Sequence, residues 1–348
     1  MQSANLNLLR AAAVLCVYFA HLIPAVGWGA PSGFGRFGVV MFFVHTSLVL
    51  TASLERLDAA GISSKWRLYC AFLTRRVFRI YPLAIVFVLL AVSFRSPTNP
   101  GRLYEWAGLP VLISNLTLTQ NLFYHDSIIG QLWTLPLEVQ MYCLLPLAYF
   151  ILRRNWRYGA ALLWLVAVLL ALTVPKLVGR LNVLSFAPCF MAGMVAFDLR
   201  RRATWMLPAW AWPLILSAAI ILFNPLDDNT SLFDKLPRAW ILSIAIGIGA
   251  AHVRESPWPR LNAMTHIVAE YSYGVYLSHM MVFWLAIDVL ATWPMVARAL
   301  VLMVMSCAVP FAFYWCVERP FIRLGGSIAA RLAVRPAAPD GLAAHGQA

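Results

Sequence analysis

Long apolar runs separated by short polar segments recur along almost the whole chain. Several approach the ~20 residues that an α-helix needs to cross the hydrocarbon core of a bilayer. A lipid-exposed segment must satisfy its own backbone polar groups, so these runs are expected to be helical. The pattern predicts an all-α, polytopic integral membrane protein with about ten transmembrane helices. The predicted spans are 6–26, 34–53, 77–94, 131–152, 158–174, 182–199, 209–223, 238–253, 272–292 and 297–317.

One further segment, 108–124, is too short and too polar to be predicted as a full crossing. We expect it to be re-entrant or to lie at the membrane interface. If it crossed, the later loops would change sides, and the basic clusters at 153–157 and 199–202 would move to the outer side. The polar residues of this segment are Asn115, Thr117, Thr119, Gln120 and Asn121.

The composition agrees with a membrane protein, because 61% of the residues are hydrophobic and only 12% are charged. The mean hydropathy is +0.74. The formal net charge of +13 does not indicate nucleic-acid binding, since the basic residues cluster between apolar runs. Of the 27 Lys and Arg residues, 18 fall in predicted inner segments, 8 in outer segments, and Arg10 lies within the first span. This asymmetry predicts that both termini are cytoplasmic.

The domain organisation predicted from the sequence is simple. We expect one transmembrane domain over 1–324 and a disordered cytoplasmic tail over 325–348, which ends in a stretch rich in Ala, Pro and Gly. No internal repeat is evident, and the first apolar run lacks the basic region and cleavage site of a signal peptide. The six cysteines show no CxxC or metal-ligand spacing, so we interpret them as small core residues.

The first predicted span, LRAAAVLCVYFAHL over 9–22, contains two side chains that are unfavourable at membrane depth, Arg10 and His21. They are eleven residues apart, close to three helical turns, so both lie on one face about 16 Å apart along the axis. An arginine near the inner surface suits a phosphate-bearing ligand, and a deeper histidine can act as a general base. The alternative is a snorkelling arginine and a histidine bonded to a backbone carbonyl.

Charged residues also occur at two later spans. In TRRVFRIYP, over 74–82, Arg76 and Arg79 share a helix face beside an apolar run. They indicate a phosphate clamp, with ordinary positive-inside anchoring as the alternative. Glu138, in QLWTLPLEVQMYCLLP, is a carboxylate within an apolar helix and needs a partner or a proton. Its depth matches that of His21, so it is a candidate to orient the imidazole.

The segment YSYGVYLSHM, over 271–280, carries Tyr276 and His279. The predicted span limits place both about two turns inside the inner face, at a depth nearer to Arg10 than to His21. Ligand binding and ordinary packing are both compatible with this position.

Two other ionisable residues receive weaker interpretations. Glu318, in CVERPF, lies where the last span leaves the membrane and is expected to pair with Arg319 or Arg323. His45 lies in the middle of the second span, where a single histidine indicates little.

Together these motifs resemble those of the membrane-bound acyltransferase-3 family, bacterial integral-membrane enzymes that acylate carbohydrates and some small molecules. The likeness runs from about residue 5 to residue 324. The chain departs from the family pattern at Pro136, which replaces a small polar residue, and at FFVHTSLVL, where an apolar residue followed by Ser-Gly is usual. The matching motifs are Arg-x10-His at Arg10 to His21, Arg-x-x-Arg at Arg76 and Arg79, Trp-Ser-Leu-x-x-Glu at 133–138, Ser-Tyr-x-x-Tyr-Leu-x-His at 272–279, and Glu-Arg-Pro at 318–320.

The resemblance implies an O-acyltransferase of the bacterial inner membrane that uses cytoplasmic acyl-CoA, usually acetyl-CoA, and no metal. His21 would take the proton of an attacking hydroxyl, and an acyl-histidine intermediate remains an alternative. The implied acceptor is a surface or exported polysaccharide, followed by a lipid-linked sugar or a small molecule. The implied donor-binding residues are Arg10, Arg76, Arg79, Tyr276 and His279, and the implied catalytic residues are His21 and Glu138.

Two other functions remain open at the level of the sequence. A small-molecule transporter would also have about ten spans, buried charge and a central histidine, although the chain shows no inverted repeat. A non-catalytic scaffold for envelope assembly would tolerate the loss of His21. The oligomeric state is not indicated.

Overall fold

The computed structural model describes residues 3–29, 33–60, 62, 64–153, 158–178, 182–224 and 232–333. Within these ranges the fold is helical, with one isolated bridge between Leu207 and Val253, which confirms the predicted all-α class. The helices are α1 (Ala4–Ala25), α2 (Phe34–Ala59), α3 (Lys65–Ser93), α4 (Leu109–Leu116), α5 (Leu135–Leu152), α6 (Gly159–Val178), α7 (Val183–Arg202), α8 (Ala211–Phe223), α9 (Leu232–His252), α10 (Pro259–Trp284), α11 (Met295–Phe313) and α12 (Arg319–Ala333).

The helices identify a multi-pass membrane protein. Among the described residues, six stretches are long and apolar enough to cross a bilayer. Two shorter apolar stretches, Gly159–Val174 and Ala211–Phe223, accompany them. The total of ten spans and the cytoplasmic position of the termini stay predictions. The six stretches are Ala4–Ala25, Phe34–Ala59, Lys65–Ser93, Gly130–Leu152, Val183–Arg202 and Met295–Ala333.

Two segments that the sequence left open take defined positions. Helix α4 has eight residues and rises only about 12 Å, so segment 108–124 does not cross as a helix. At the other end of the chain, a π-type turn at Tyr314–Glu318 joins α11 to α12, and α12 continues to Ala333. The predicted tail therefore does not begin at 325, since this position lies inside a helix that packs along α3. Residues 334–348 lie outside the described part of the chain.

Helix α10 begins at Pro259, well before the predicted span 272–292. At 1.5 Å per residue, His279 lies about 30 Å from the start of α10, and His21 lies about 26 Å from the start of α1. The two helices pack together, and their first residues meet the same connecting segment. The predicted depth of His279 near Arg10 is therefore corrected: His279 lies at the level of His21.

The segments predicted to be on the inner side meet at one end of the bundle. Glu255, between α9 and α10, accepts hydrogen bonds from Ser3 Oγ at 2.7 Å, from Asn5 N at 3.2 Å and from Arg200 Nη2 at 2.6 Å. Burial raises the pKa of the Glu255 carboxyl, but these donors and the Arg200 charge outweigh burial and hold the pKa below its ordinary value of 4.5. The first turn of α1 is thus fixed to the ends of α7 and α9.

Further contacts at the same end tie α2 to its neighbours. Arg201 pairs with Glu55 at 3.2 Å, and Arg153 pairs with Asp58 at 2.9 Å. These are surface ion pairs, which contribute little individually. Their arrangement nevertheless shows that the basic clusters share one end of the molecule.

Helix α2 is central to the fold, because it packs against both α1 and α7. Small residues permit the close approach: a Cβ on Gly38 would lie 2.6 Å from Ala13 O of α1, and one on Gly193 of α7 would lie 2.7 Å from Leu48 N. Phe43 of α2 stacks on Phe190 with ring centroids 4.3 Å apart. These contacts fix the α2 side chains that face the candidate site.

Candidate functional site

In the described structure, two cavities lie between α1, α2, α3, α5 and α10. We call the one on the side of the predicted inner segments the inner cavity and the other the outer cavity. The inner cavity, of about 110 Å³, is lined by the arginines of α1 and α3 and by Glu138. The outer cavity, of about 1580 Å³, is lined by His21 and by the polar segment between α3 and α5. Val39 and Tyr276 line both cavities. Arg10 and His21 therefore line two adjoining cavities that meet at Val39 and Tyr276.

The inner cavity gathers the three predicted phosphate-binding residues, Arg10, Arg76 and Arg79. Arg79 Nη1 forms an ion pair with Glu318 Oε1 at 2.5 Å. By contrast, the described residues accept no hydrogen bond from Arg10, and the buried Nε atom of Arg76 has no hydrogen-bond partner. Buried cations need a counter-charge and acceptors. The cluster therefore has free capacity for an anion.

The acidic residues of the inner cavity differ from expectation. Glu318 is buried and pairs with Arg79, and the guanidinium of Arg319 instead lies over the ring of Trp315, 3.9 Å from its centroid. The expected pairing of Glu318 with Arg319 is therefore corrected. The wide turn at 314–318 is the reason, since it directs Glu318 towards α3.

Glu138 is placed with the arginines and not with His21. Its Oε2 atom accepts a hydrogen bond from Tyr142 OH at 2.7 Å, and it lies within electrostatic range of Arg10 and Arg76. No contact between Glu138 and His21 occurs in the described structure. The matching depths of the two residues gave no information on which helix faces which, so the predicted partnership is corrected.

The partner of His21 is His279. The Nδ1 atom of His21 lies 3.2 Å from the Nε2 atom of His279, and the two ring centroids are 5.2 Å apart. His279 is 2% exposed, whereas His21 is half-buried and lines the outer cavity. The structure therefore brings together two residues that the span limits had separated.

The hydrogen bonds of the histidine pair assign the tautomer of each ring. His279 Nδ1 lies 2.8 Å from the carbonyl oxygen of Tyr276, and a carbonyl only accepts, so Nδ1 carries the proton. The Nε2 atom of a neutral His279 is then an acceptor, and His21 Nδ1 must donate to it. The Val17 carbonyl also accepts a hydrogen bond from the His21 ring. The Nε2 atom of His21 is left with a free lone pair.

Tyr276 lies at the junction of the two cavities and is held from both sides. Its hydroxyl donates to the carbonyl oxygen of Gln131 at 2.7 Å, and it lies 2.7 Å from Thr134 Oγ1. Thr134 lines the inner cavity and Gln131 the outer one. We call this junction the neck; it is formed by Tyr276, Thr134, Gln131 and Val39.

The sequence did not single out several cavity-lining residues. His45 lines the inner cavity, although a single histidine in the middle of the second span indicated little in the sequence. Many of the polar and aromatic side chains that line the outer cavity lie in the segments between α3 and α5, and loops have no periodicity to identify such residues. Among the described residues, no group of three or more His, Cys, Asp or Glu is placed to hold a metal ion. The polar and aromatic lining includes Arg36, Ser96, Asn99, Arg102, Tyr104, Glu105, Trp106, His125, Asp126, Gln131 and Trp133.

Comparison with known proteins shows which family the chain belongs to. The "Regulator of hypoxia-inducible factor 1" of Caenorhabditis elegans is 27% identical over 139 residues, which cover 39% of this chain and 27% of the worm protein. The match thus spans about a quarter of that relative. No solved structure matches the chain. The acyltransferase 3 family model, described as an acyltransferase domain, matches residues 3–315. The chain therefore belongs to the acyltransferase 3 family.

Proposed function

We propose that this protein is a membrane acyltransferase, which moves an acyl group, in the simplest case acetyl, from acyl-CoA at the inner cavity to a hydroxyl of a carbohydrate in the outer cavity. His21 is the general base of the transfer. The observation that carries the proposal is that α1 presents Arg10 to one cavity and His21 to the adjoining cavity. The proposed location is the cytoplasmic membrane of a bacterium.

The inner cluster supports the choice of donor. Arg10 and Arg76 have unused donor groups, and guanidinium binds phosphate oxygens in a bidentate manner. The cavity itself is far too small for a whole nucleotide, so we assign it to the phosphates and to the first part of the pantetheine arm. Arg10 and His21 are about 16 Å apart along the helix, a distance that an extended pantetheine arm spans.

The outer cavity supports the choice of acceptor. Its volume of about 1580 Å³ admits an oligosaccharide segment. Trp106 and Trp133 offer flat apolar surfaces for sugar rings, while Asn99 and Asp126 offer hydrogen-bonding groups for hydroxyls. This mixture of aromatic and polar side chains favours a carbohydrate over an apolar acceptor.

The proposed reaction is one acyl transfer. The acceptor oxygen forms a bond to the thioester carbon, the carbon–sulfur bond breaks, and the hydroxyl proton passes through His21 Nε2 to the CoA thiolate. His279 holds His21 in the tautomer that keeps Nε2 unprotonated and stabilises the imidazolium that forms. Glu138 offsets part of the positive charge of the arginines rather than orienting His21.

The test uses the full chain purified in detergent, with acetyl-CoA as donor and release of the free CoA thiol as the readout. Replacing His21 by Ala should lower kcat by about 10²–10⁴-fold, the usual contribution of a general base, with little change in CoA affinity. Arg10→Gln should weaken CoA binding by about 10–100-fold, the size of a charge-assisted hydrogen bond. Arg10 is preferable to Arg79 as a target, because loss of Arg79 would leave Glu318 buried without its partner.

Two matched variants control for general damage. His266 is an exposed histidine of α10 that lines neither cavity, and His266→Ala should retain full activity. Arg153 pairs with Asp58 far along the inner end, and Arg153→Gln should retain CoA binding. Equal loss of CoA affinity in His21→Ala and Arg10→Gln would contradict the division of roles. Substrate flux into vesicles without thiol release would indicate a transporter instead.

A further inference from the structure

Gln131 carries a fixed hydrogen-bond acceptor at the neck between the two cavities. Its side chain is buried, with 2% of the residue exposed. The Nε2 atom donates to the carbonyl oxygen of Leu277 at 2.7 Å, which defines the orientation of the amide. The Oε1 atom then has no hydrogen-bond partner among the described residues.

An unpaired buried carbonyl is unfavourable, because it has lost its hydrogen bonds to water and gained none in the protein. Gln131 lines the outer cavity, so a ligand in that cavity is a candidate donor to Oε1. The backbone carbonyl of Gln131 also accepts the hydrogen bond of Tyr276 OH. Gln131 therefore contributes its backbone carbonyl to the neck and carries an unpaired side-chain acceptor.

The neck restricts which part of a ligand reaches Oε1. A ligand anchored by phosphates at the arginines and reacting at His21 must pass Val39 and Tyr276, which line both cavities. In acyl-CoA the segment between the phosphates and the thioester is the pantetheine arm, a narrow chain with two amide N–H donors. A neutral amide oxygen is a suitable partner for such a group.

We propose that Gln131 Oε1 accepts a hydrogen bond from a pantetheine amide N–H and so positions the thioester beside His21. The proposal rests on acyl-CoA being the donor. Gln131 is a positioning residue in this role, because it binds the arm of the donor and not the reacting atoms.

The experiment compares two ligands with the full chain in detergent. CoA contains the pantetheine arm, whereas adenosine 3′,5′-bisphosphate carries phosphates and lacks the arm. Gln131→Leu should weaken CoA binding by about three- to tenfold, the size of one neutral hydrogen bond, and leave the affinity for the bisphosphate unchanged. Gln131→Asn keeps the amide but withdraws its oxygen by one methylene, and should show a similar selective loss.

Gln120 provides a matched control. It is also 2% exposed, its Nε2 atom donates to the carbonyl oxygen of Leu132 at 3.4 Å, and its Oε1 atom is likewise unpaired. It lines neither cavity, so Gln120→Leu should match Gln131→Leu in thermal stability and match the wild type in CoA affinity.

The outcomes separate the inference from the proposed function. If wild-type protein binds no CoA, the proposed function fails, and with it the role of Gln131. If wild-type protein binds CoA and Gln131→Leu binds it equally well, only the role of Gln131 is overturned. An equal loss of CoA and bisphosphate binding would also overturn that role, since it would indicate a general disturbance of the site.

Discussion

The contact between α2 and α7 at Gly193 leads to a sharp prediction about stability. A Cβ added at Gly193 would meet Val44 O closely, Leu48 N at 2.7 Å and Ser47 Cβ at 2.8 Å. Two of these atoms belong to the backbone of a buried helix and cannot rotate away. Gly193→Ala must therefore push α7 from α2 or distort one of the helices.

The size of the effect follows from the crowding. Overpacking a close-packed interior costs about 1–3 kcal/mol, and the backbone contacts place this site at the upper end, about 3 kcal/mol. With about 2–4 °C in Tm per kcal/mol for a chain of this order of size, we expect a decrease of roughly 6–12 °C. Turnover should fall as well, because α2 carries Val39 and His45 at the cavities.

Thermal unfolding in detergent, followed by tryptophan fluorescence, measures this change. Gly326→Ala is the matched control, because a Cβ there would meet nothing within 4 Å and alanine is the better helix former by up to about 1 kcal/mol. Its Tm should stay equal or rise. A Gly193→Ala protein that unfolds within 1 °C of the wild type, to take a strict limit of about one-tenth of the expected shift, would refute the close approach of α2 and α7.

Three further predictions follow from the inner end and the inner cavity. Asn5→Ala should lower Tm in detergent, because Asn5 Nδ2 donates to Arg254 O at 3.0 Å and its Oδ1 accepts from Ser256 N at 3.2 Å, and each buried group left unpaired costs about 1–3 kcal/mol. Asn7→Ala, at the more exposed neighbouring site, should change Tm little. Equal decreases in Tm for the two variants would contradict the role assigned to Asn5. Glu255→Gln should lower Tm at pH 7. The folded pKa of Glu255 lies below 4.5, so its contribution to the free energy of unfolding is present above the unfolded pKa and is lost as the pH falls through the folded pKa. The difference in Tm between the variant and the wild type should therefore shrink below pH ~4.5. A difference that stays constant with pH would be inconsistent with this linkage. Glu138→Gln should strengthen CoA binding in a titration, since it removes a negative charge near Arg10 and Arg76, whereas weaker binding would mean that the carboxylate is needed to hold the arginines in place.

Local periodicity predicted the parts of the site that lie on one helix. The shared face of Arg10 and His21 depends only on helical geometry, and the structure places the two residues at adjoining cavities along α1. These features need no knowledge of neighbouring helices.

The pairs between helices were not predictable in the same way. Span limits based on apolarity placed the start of the helix with His279 at 272, whereas α10 begins at Pro259 and includes polar residues such as Glu270. The resulting error in depth separated His279 from His21. For Glu138, equal depth was compatible with any facing helix, and the structure turns it to Tyr142 and the arginines. Loop residues such as Trp106 gave no signal, since loops lack a repeating pattern.

The junction of the two cavities at Val39 and Tyr276 has an electrical consequence for the proposed transfer. Water and ions that fill the two cavities would concentrate the transmembrane voltage at this junction. Each elementary charge moved through 100 mV involves about 2.3 kcal/mol. In the proposed transfer only the uncharged arm of the donor would cross this junction, while its phosphates would remain at the arginines. Export of acyl units by this route would proceed at a rate independent of the membrane potential and without dissipating the ion gradients of the cell.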